Sequence, residues 1–273
     1  MLNITQKELQ AMLPVLTFPT EELSNKILDQ VPMIYVRVRE AILGTVGEEA
    51  LDHEEIRLVA SRNVASNCLL SVFHQMDVVA TPTGFGVVSN QDTAPASSAR
   101  VQALKSEVLD IELHSRHALI SKLACIPDWG DTEQAKSCIN STFYNSLYLQ
   151  TYCGMSRYGH EEWQKAQPAI LLADNIMRRK MGNQLFADIL NRLRHADIRD
   201  YIPLTQLMHA FTASHIVGDV MTQVEAMRQL LMELEDPLKR ELYQAYYDSS
   251  AYRANHYNRK RNDKDSPGFI FGR

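Results

Sequence analysis

The chain has 273 residues, 45 % of them apolar and only 11 of them glycine, which is long enough for a full core and too poor in glycine for a turn-rich β fold. A net charge of −5 argues against non-specific nucleic-acid binding by the body of the protein. No apolar run approaches the roughly 18 residues needed to cross a bilayer, and Met1-Leu2-Asn3-Ile4-Thr5 lacks the basic start and apolar stretch of a secretory signal.

The first helix is marked by Thr5 and Glu8, a capping box that satisfies backbone groups at a helix start, and Pro14 ends it. Thr20-Glu21-Glu22 opens the next, with acidic residues where the helix dipole favours them. Pro32 kinks or divides that segment before Val36, Val38, Ala41 and Ile42, and Gly44 and Gly47 close it. A long helix is expected from about Glu48 to Val79, with Ile56, Val59, Ala60, Val64, Cys68, Leu70 and Phe73 on its core face. Asn63 and Asn67 lie one turn apart on it, placed to bond across a helix interface.

The run from Ala80 to Pro95 does not read as helix. Pro82 removes a donor, Gly84 and Gly86 permit positive φ, and Phe85, Val87 and Val88 are β-prone. A short β-hairpin or extended loop is expected near 81–95, with Thr83, Gly84, Phe85, Gly86, Val87 and Val88 as an interaction loop. After it, Val101, Leu104, Val108 and Ile111 repeat at helical spacing in a helix reaching about Leu123.

Asp131-Thr132 caps a single helix expected from Glu133 to Cys153, with Gly154 as its stop and Ala135, Cys138, Ile139, Thr142, Phe143, Ser146 and Leu147 on one face. Further helices run through Trp163, Ile170 and Ile176 to Gly182, then through Leu185 to Leu193, from Ile202 to Val217 and from Met221 to Leu234. Pro237 opens a last helix that ends near His256. Ile27 to Gly47 with the helix after it echoes Ile170 to Gly182 with the helices after it, a similarity that amphipathic helices also reach by chance.

Residues 258–273 differ in kind. Arg259, Lys260 and Arg261, followed by Asn262-Asp263-Lys264-Asp265, are too charged to bury, yet Phe269, Ile270 and Phe271 follow. A flexible, extended arm that docks on something through those residues is expected. The expected architecture is therefore all-α, a multi-helix bundle over 1–257, readable as two helical units of about 1–130 and 131–257, with the loop insertion and the arm.

Chemistry is sparse. Gly84-Phe85-Gly86-Val87-Val88-Ser89 lacks the third glycine and the parallel-sheet setting of a dinucleotide fingerprint, and there is no phosphate loop or nucleophile elbow. Glu112, His114 and His117 are the candidates for a metal-binding or catalytic alternative, although no further pair completes a ligand set and solvent-facing histidines are expected. Glu54-Glu55 and Glu161-Glu162 read as helix N-terminal charge. Arg259-Lys260-Arg261 is the candidate for a nucleic-acid-binding accessory role, with the acidic residues after it favouring a solvated linker. Cys68, Cys125, Cys138 and Cys153, with no Cys-x-x-Cys spacing, read as four buried thiols in a reducing cytoplasm.

Thr81-Pro82-Thr83-Gly84-Phe85-Gly86-Val87-Val88-Ser89-Asn90, with Ala94-Pro95-Ala96-Ser97 and Arg100-Val101 after it, resembles a stretch of prophage virion-assembly proteins from phages of gut bacteria. Those proteins are similar to head–tail adaptor (connector) proteins. The segments Ile170 to Leu190 and Ile202 to Val217 resemble that broader group as well. The chain is longer than a minimal adaptor, which implies an added helical unit or a duplicated core. The resemblance implies a virion structural protein, assembled in the host bacterial cytoplasm, that forms a homo-oligomeric ring below the portal and contacts portal and tail proteins. DNA would pass through its lumen without sequence-specific binding. It implies no catalysis, no cofactor, no small-molecule substrate and no membrane. Rings of this kind use heterologous contacts, to which a projecting loop and an arm add area.

Overall fold

The structure, a computed structural model, describes residues 2–14, 21–76, 79–81, 84–86 and 98–256. The chain is an all-α multi-helix bundle. The short helices α1 (Gln6–Met12), α2 (Glu21–Leu28) and α3 (Val31–Val38) lead into a π-helical turn at Arg39–Leu43 and then α4 (Gly44–Glu49). The capping box at Thr5 and Glu8 is formed, and Pro32 lies in the first turn of α3, where a missing N–H costs nothing.

The expected stop at Gly47 is not one. Gly47 is buried inside α4, where a Cβ would stand 3.2 Å from Leu43 Cβ and 3.3 Å from a methyl of Leu123. Its role is close approach of helices. The long helix consequently starts later than expected, as α5 (Glu54–Met76). The π turn also has a visible cause. The carbonyl of Ile42 accepts the Trp129 indole N–H at 3.1 Å and that of Glu40 accepts the Gln134 amide at 3.0 Å. Side chains from outside the helix thus satisfy carbonyls in this irregular turn.

α5 and α6 (Ser98–Leu123) form the spine. Lys122 reaches Glu55 at 2.6 Å near one end, and Asn63 reaches the carbonyl of Glu112 at 3.1 Å and Ser115 Oγ at 3.3 Å further along, so the two run antiparallel. Asn67 bonds its own helix at the carbonyl of Asn63 instead of crossing. Ile56, Ala60, Val64 and Cys68 are buried as their spacing predicts, joined by Ala65, Leu69 and Val72. Between the far ends of the spine helices, β1 (Val79–Thr81) pairs antiparallel with β2 (Gly84–Gly86) in the register Val79↔Gly86, Ala80↔Phe85, Thr81↔Gly84. Strand pairing therefore begins two residues before the expected start at 81.

The helix expected over 133–153 is broken in two. Only α7 (Glu133–Cys138) and α8 (Leu147–Cys153) form, and residues 139–146 between them are irregular. Of the expected face, Ala135, Ile139, Thr142, Phe143 and Ser146 are buried, whereas Cys138 is half-buried and Leu147 is exposed. α9 (His160–Met181) and α10 (Asn183–Arg194) meet at Gly182, which holds φ at +89°. Asp110 of α6 caps α9 by accepting the His160 N–H at 2.7 Å.

α11 (Ile202–Val217) packs against α8, α9 and α12 (Val220–Leu234) and is buried nearly all round, through Leu204, Met208, His209, Phe211 and Ala213 among others. The last expected helix is fragmented into a 3₁₀ turn at Pro237–Lys239, α13 (Gln244–Tyr247) and α14 (Ser250–Asn255). One contiguous apolar cluster includes residues from Leu2 to Tyr246, and a satellite forms around Phe143, Leu149, Ala166 and Ile170. No helix among the described residues is long and apolar enough to cross a membrane.

Candidate functional site

The interaction loop expected at 83–88 is described only in part. The backbones of Gly84, Phe85 and Gly86 form β2, while Thr83, Val87 and Val88 lie outside the described residues. Arg259, Lys260, Arg261, Phe269, Ile270 and Phe271 of the expected arm lie outside them as well.

The Glu112, His114 and His117 candidates are described, and they part company. Glu112 lies against Asn63 and makes an ion pair with Arg116, whose Nε is 3.3 Å from Glu112 Oε1. His114 Nε2 stands 3.3 Å from the carbonyl of Tyr158, with the two rings in contact. His117, expected at the surface, is 6 % exposed. Its Nδ1 accepts the Ser146 N–H at 3.0 Å, which leaves the neutral ring its proton on Nε2. Burial pushes its pKa down to about 3, with smaller contributions from the nearby Arg116 and His114. A histidine so depressed is a neutral fixture at physiological pH. Among the described residues, no group of three or more His, Cys, Asp or Glu side chains is placed to hold a metal ion.

Glu112, Arg116 and His117 do share a cleft of about 460 Å³ with Arg37, Asn63 and Trp163, between α3, the spine, segment 139–146 and α9. Asn63, Glu112 and Arg116 engage one another there, while the buried Nε of Arg116 makes no hydrogen bond. The thiols also differ from expectation: Cys68 is buried, Cys138 and Cys153 are intermediate, and Cys125 is exposed because it lies past the end of α6.

Two features escaped the sequence reading. The first is segment 139–146. Irregular backbone inside a core needs partners for its N–H and C=O groups, and here other elements send side chains to supply them. Arg194 of α10 donates to the carbonyl of Ile139 at 3.0 Å, His209 of α11 to that of Thr142 at 2.9 Å, and His117 of α6 accepts from Ser146. Asp174 of α9 accepts the Thr142 hydroxyl at 3.4 Å. Burial raises the Asp174 pKa to about 6 against the lowering effect of its hydrogen bonds and Arg178, and burial lowers that of His209 to about 4. The rings of Tyr148, Tyr152 and Phe143 surround His209.

The second feature is α12. It buries Ala226, Leu230 and Leu234 but leaves Val220, Met221, Val224 and Met232 between 60 and 78 % exposed. An apolar surface wider than one core-facing stripe was visible in the sequence from Val220 to Leu234. No protein-family model, no curated protein and no solved structure matches the chain.

Proposed function

We propose that this chain is a structural subunit of a phage virion, a head–tail adaptor that forms a ring below the portal and performs no catalysis. The observation that carries this reading is the position of the 79–86 strand pair. It arises between the far ends of the antiparallel α5–α6 spine, within the segment whose sequence resembles virion-assembly proteins. A spine locked by the buried Asn63 to Glu112 and Ser115 contacts is a stiff mount for a contact loop. The exposed apolar face of α12 offers a second surface, and heterologous ring contacts need two different surfaces on each subunit. The ring's partners in this reading are further copies of the chain, the portal and tail proteins, with DNA passing through unread.

The test is to mix the full chain with its cognate portal protein, measure the particle mass and image the complex. A symmetric ring of this chain seated on the portal supports the reading. Absence of the chain from purified virions, together with no assembly on the portal, overturns it.

A further inference from the structure

The cleft between α3, the spine, segment 139–146 and α9, about 460 Å³, has the size of a small-molecule site. Val38, Ile42, Ile120, Phe143, Trp163 and Ile170 give it an apolar wall. All but Trp163 are buried, so the core behind them holds the wall in shape.

The polar groups on the cleft are unevenly engaged. His117 is 6 % exposed, and its Nδ1 accepts the Ser146 N–H at 3.0 Å, which puts the ring proton on Nε2. Among the described residues that Nε2–H finds no acceptor, yet the atom is not sealed from solvent. Because the ring borders the cleft, the N–H opens there. Arg116 holds Glu112 only loosely. Its Nε and an outer nitrogen lie 3.3 and 3.4 Å from the two carboxylate oxygens, whereas a charge-assisted bond closes to about 2.7–2.9 Å. The Arg228–Glu225 pair on α12 does close, to 2.7 Å. Arg37, exposed at the mouth of the cleft, makes no ion pair among the described residues. Two guanidiniums therefore face the single carboxylate of Glu112, which leaves one positive charge over.

We propose that this cleft binds a small carboxylic acid with an apolar body. The carboxylate accepts from the His117 Nε2–H and from the outer nitrogens of Arg116, with Arg37 above it at the mouth. The apolar body lies along Ile120, Phe143 and Trp163. One surplus positive charge matches a monoanion, and the buried donor gains the acceptor it lacks. The inference does not rest on the adaptor reading, because every residue of the cleft belongs to one chain.

The experiment is calorimetric titration of the full chain with benzoate, naphthoate and octanoate, each beside its uncharged amide. At least one acid should bind once per chain, with its amide roughly tenfold weaker. Arg116→Gln, which keeps a donor for Glu112, should weaken the acid roughly tenfold. Arg37→Gln, an exposed change that leaves the Tm as it is, should weaken the acid roughly threefold and the amide not at all. Ser137→Trp, which crowds the mouth from the exposed side of α7, should abolish binding of both. No heat from any of the three acids at millimolar concentration overturns the proposal, as does equal binding of acid and amide. Acid binding that is unchanged in Ser137→Trp, or in both arginine variants, places the acid elsewhere on the molecule and overturns it too.

Discussion

His209 Nε2 donates to the carbonyl of Thr142 across 2.9 Å, joining the largely buried α11 to the irregular segment 139–146 that stands where a helix was expected. This bond fixes the tautomer: with the proton on Nε2, Nδ1 is left as an acceptor, buried and without a partner. His209→Phe keeps a ring among Tyr148, Tyr152 and Phe143 but orphans the Thr142 carbonyl. The expected loss is about 1–3 kcal/mol, the cost of an unsatisfied buried acceptor, seen as a lower urea midpoint with an unchanged slope. An unchanged midpoint would show that water replaces the bond.

Acid should loosen the same region. His117 and His209 have folded-state pKa values of about 3 and about 4, below the ordinary 6.5. The stability they contribute is complete above pH 6.5 and is lost as pH falls from there toward those values, by roughly 3 kcal/mol each at pH 4. Asp174, raised to about 6, acts in the opposite direction over pH 6 to 4 and offsets about one histidine. Denaturant titrations from pH 7 to 4 should therefore show a net loss, and His209→Phe should flatten the curve.

Asp174→Asn separates the opposing contribution. A carboxyl whose folded pKa is raised penalises the fold above that pKa and not below its unfolded value. The amide keeps an acceptor for the Thr142 hydroxyl. At pH 8 the variant should be more stable than the parent by up to about 3 kcal/mol, and at pH 4 most of the advantage should be gone. A variant less stable than the parent at pH 8 would assign the carboxylate a structural role through Ser141 or Arg178.

Gly182→Ala tests the α9–α10 joint. The residue holds φ at +89°, and a Cβ there would come within 2.8 Å of Ser249 Cβ. With ψ at 145° the residue lies outside the left-handed helical well, a conformation that costs an L-residue about 1–3 kcal/mol, and the clash with the turn before α14 adds to it. Calorimetry should show a lower Tm than for Gly218→Ala, whose Cβ has open space at a similar φ of +84°.

Phe85→Ala should leave the Tm nearly unchanged while weakening assembly on the portal, if the 79–86 strand pair marks a contact loop. A loss of about 3–5 kcal/mol of folding stability is the result expected of a core phenylalanine and would remove the loop from the contact surface.

The sequence alone determined the helical class and most helix positions, because apolar spacing in α5, α6, α9, α10 and α12 and the punctuation at Thr5, Pro32, Gly154, Gly182 and Pro237 are local signals. It also located the non-helical excursion after α5, through Pro82, Gly84 and Gly86. The tertiary structure decided what periodicity could not. Residues 139–146 bury the same positions a helix would bury, so their spacing imitates one. They stay irregular because Arg194, His209, His117 and Asp174, arriving from four other helices, satisfy polar groups that a helix would satisfy internally. The fate of His117 follows from that arrangement: a position in the last third of α6 says nothing of burial until Ser146 and Trp163 close over it. Gly47 reads as a helix stop and works instead as a gap for Leu43 and Leu123, since a close approach between distant residues leaves no mark in the local sequence.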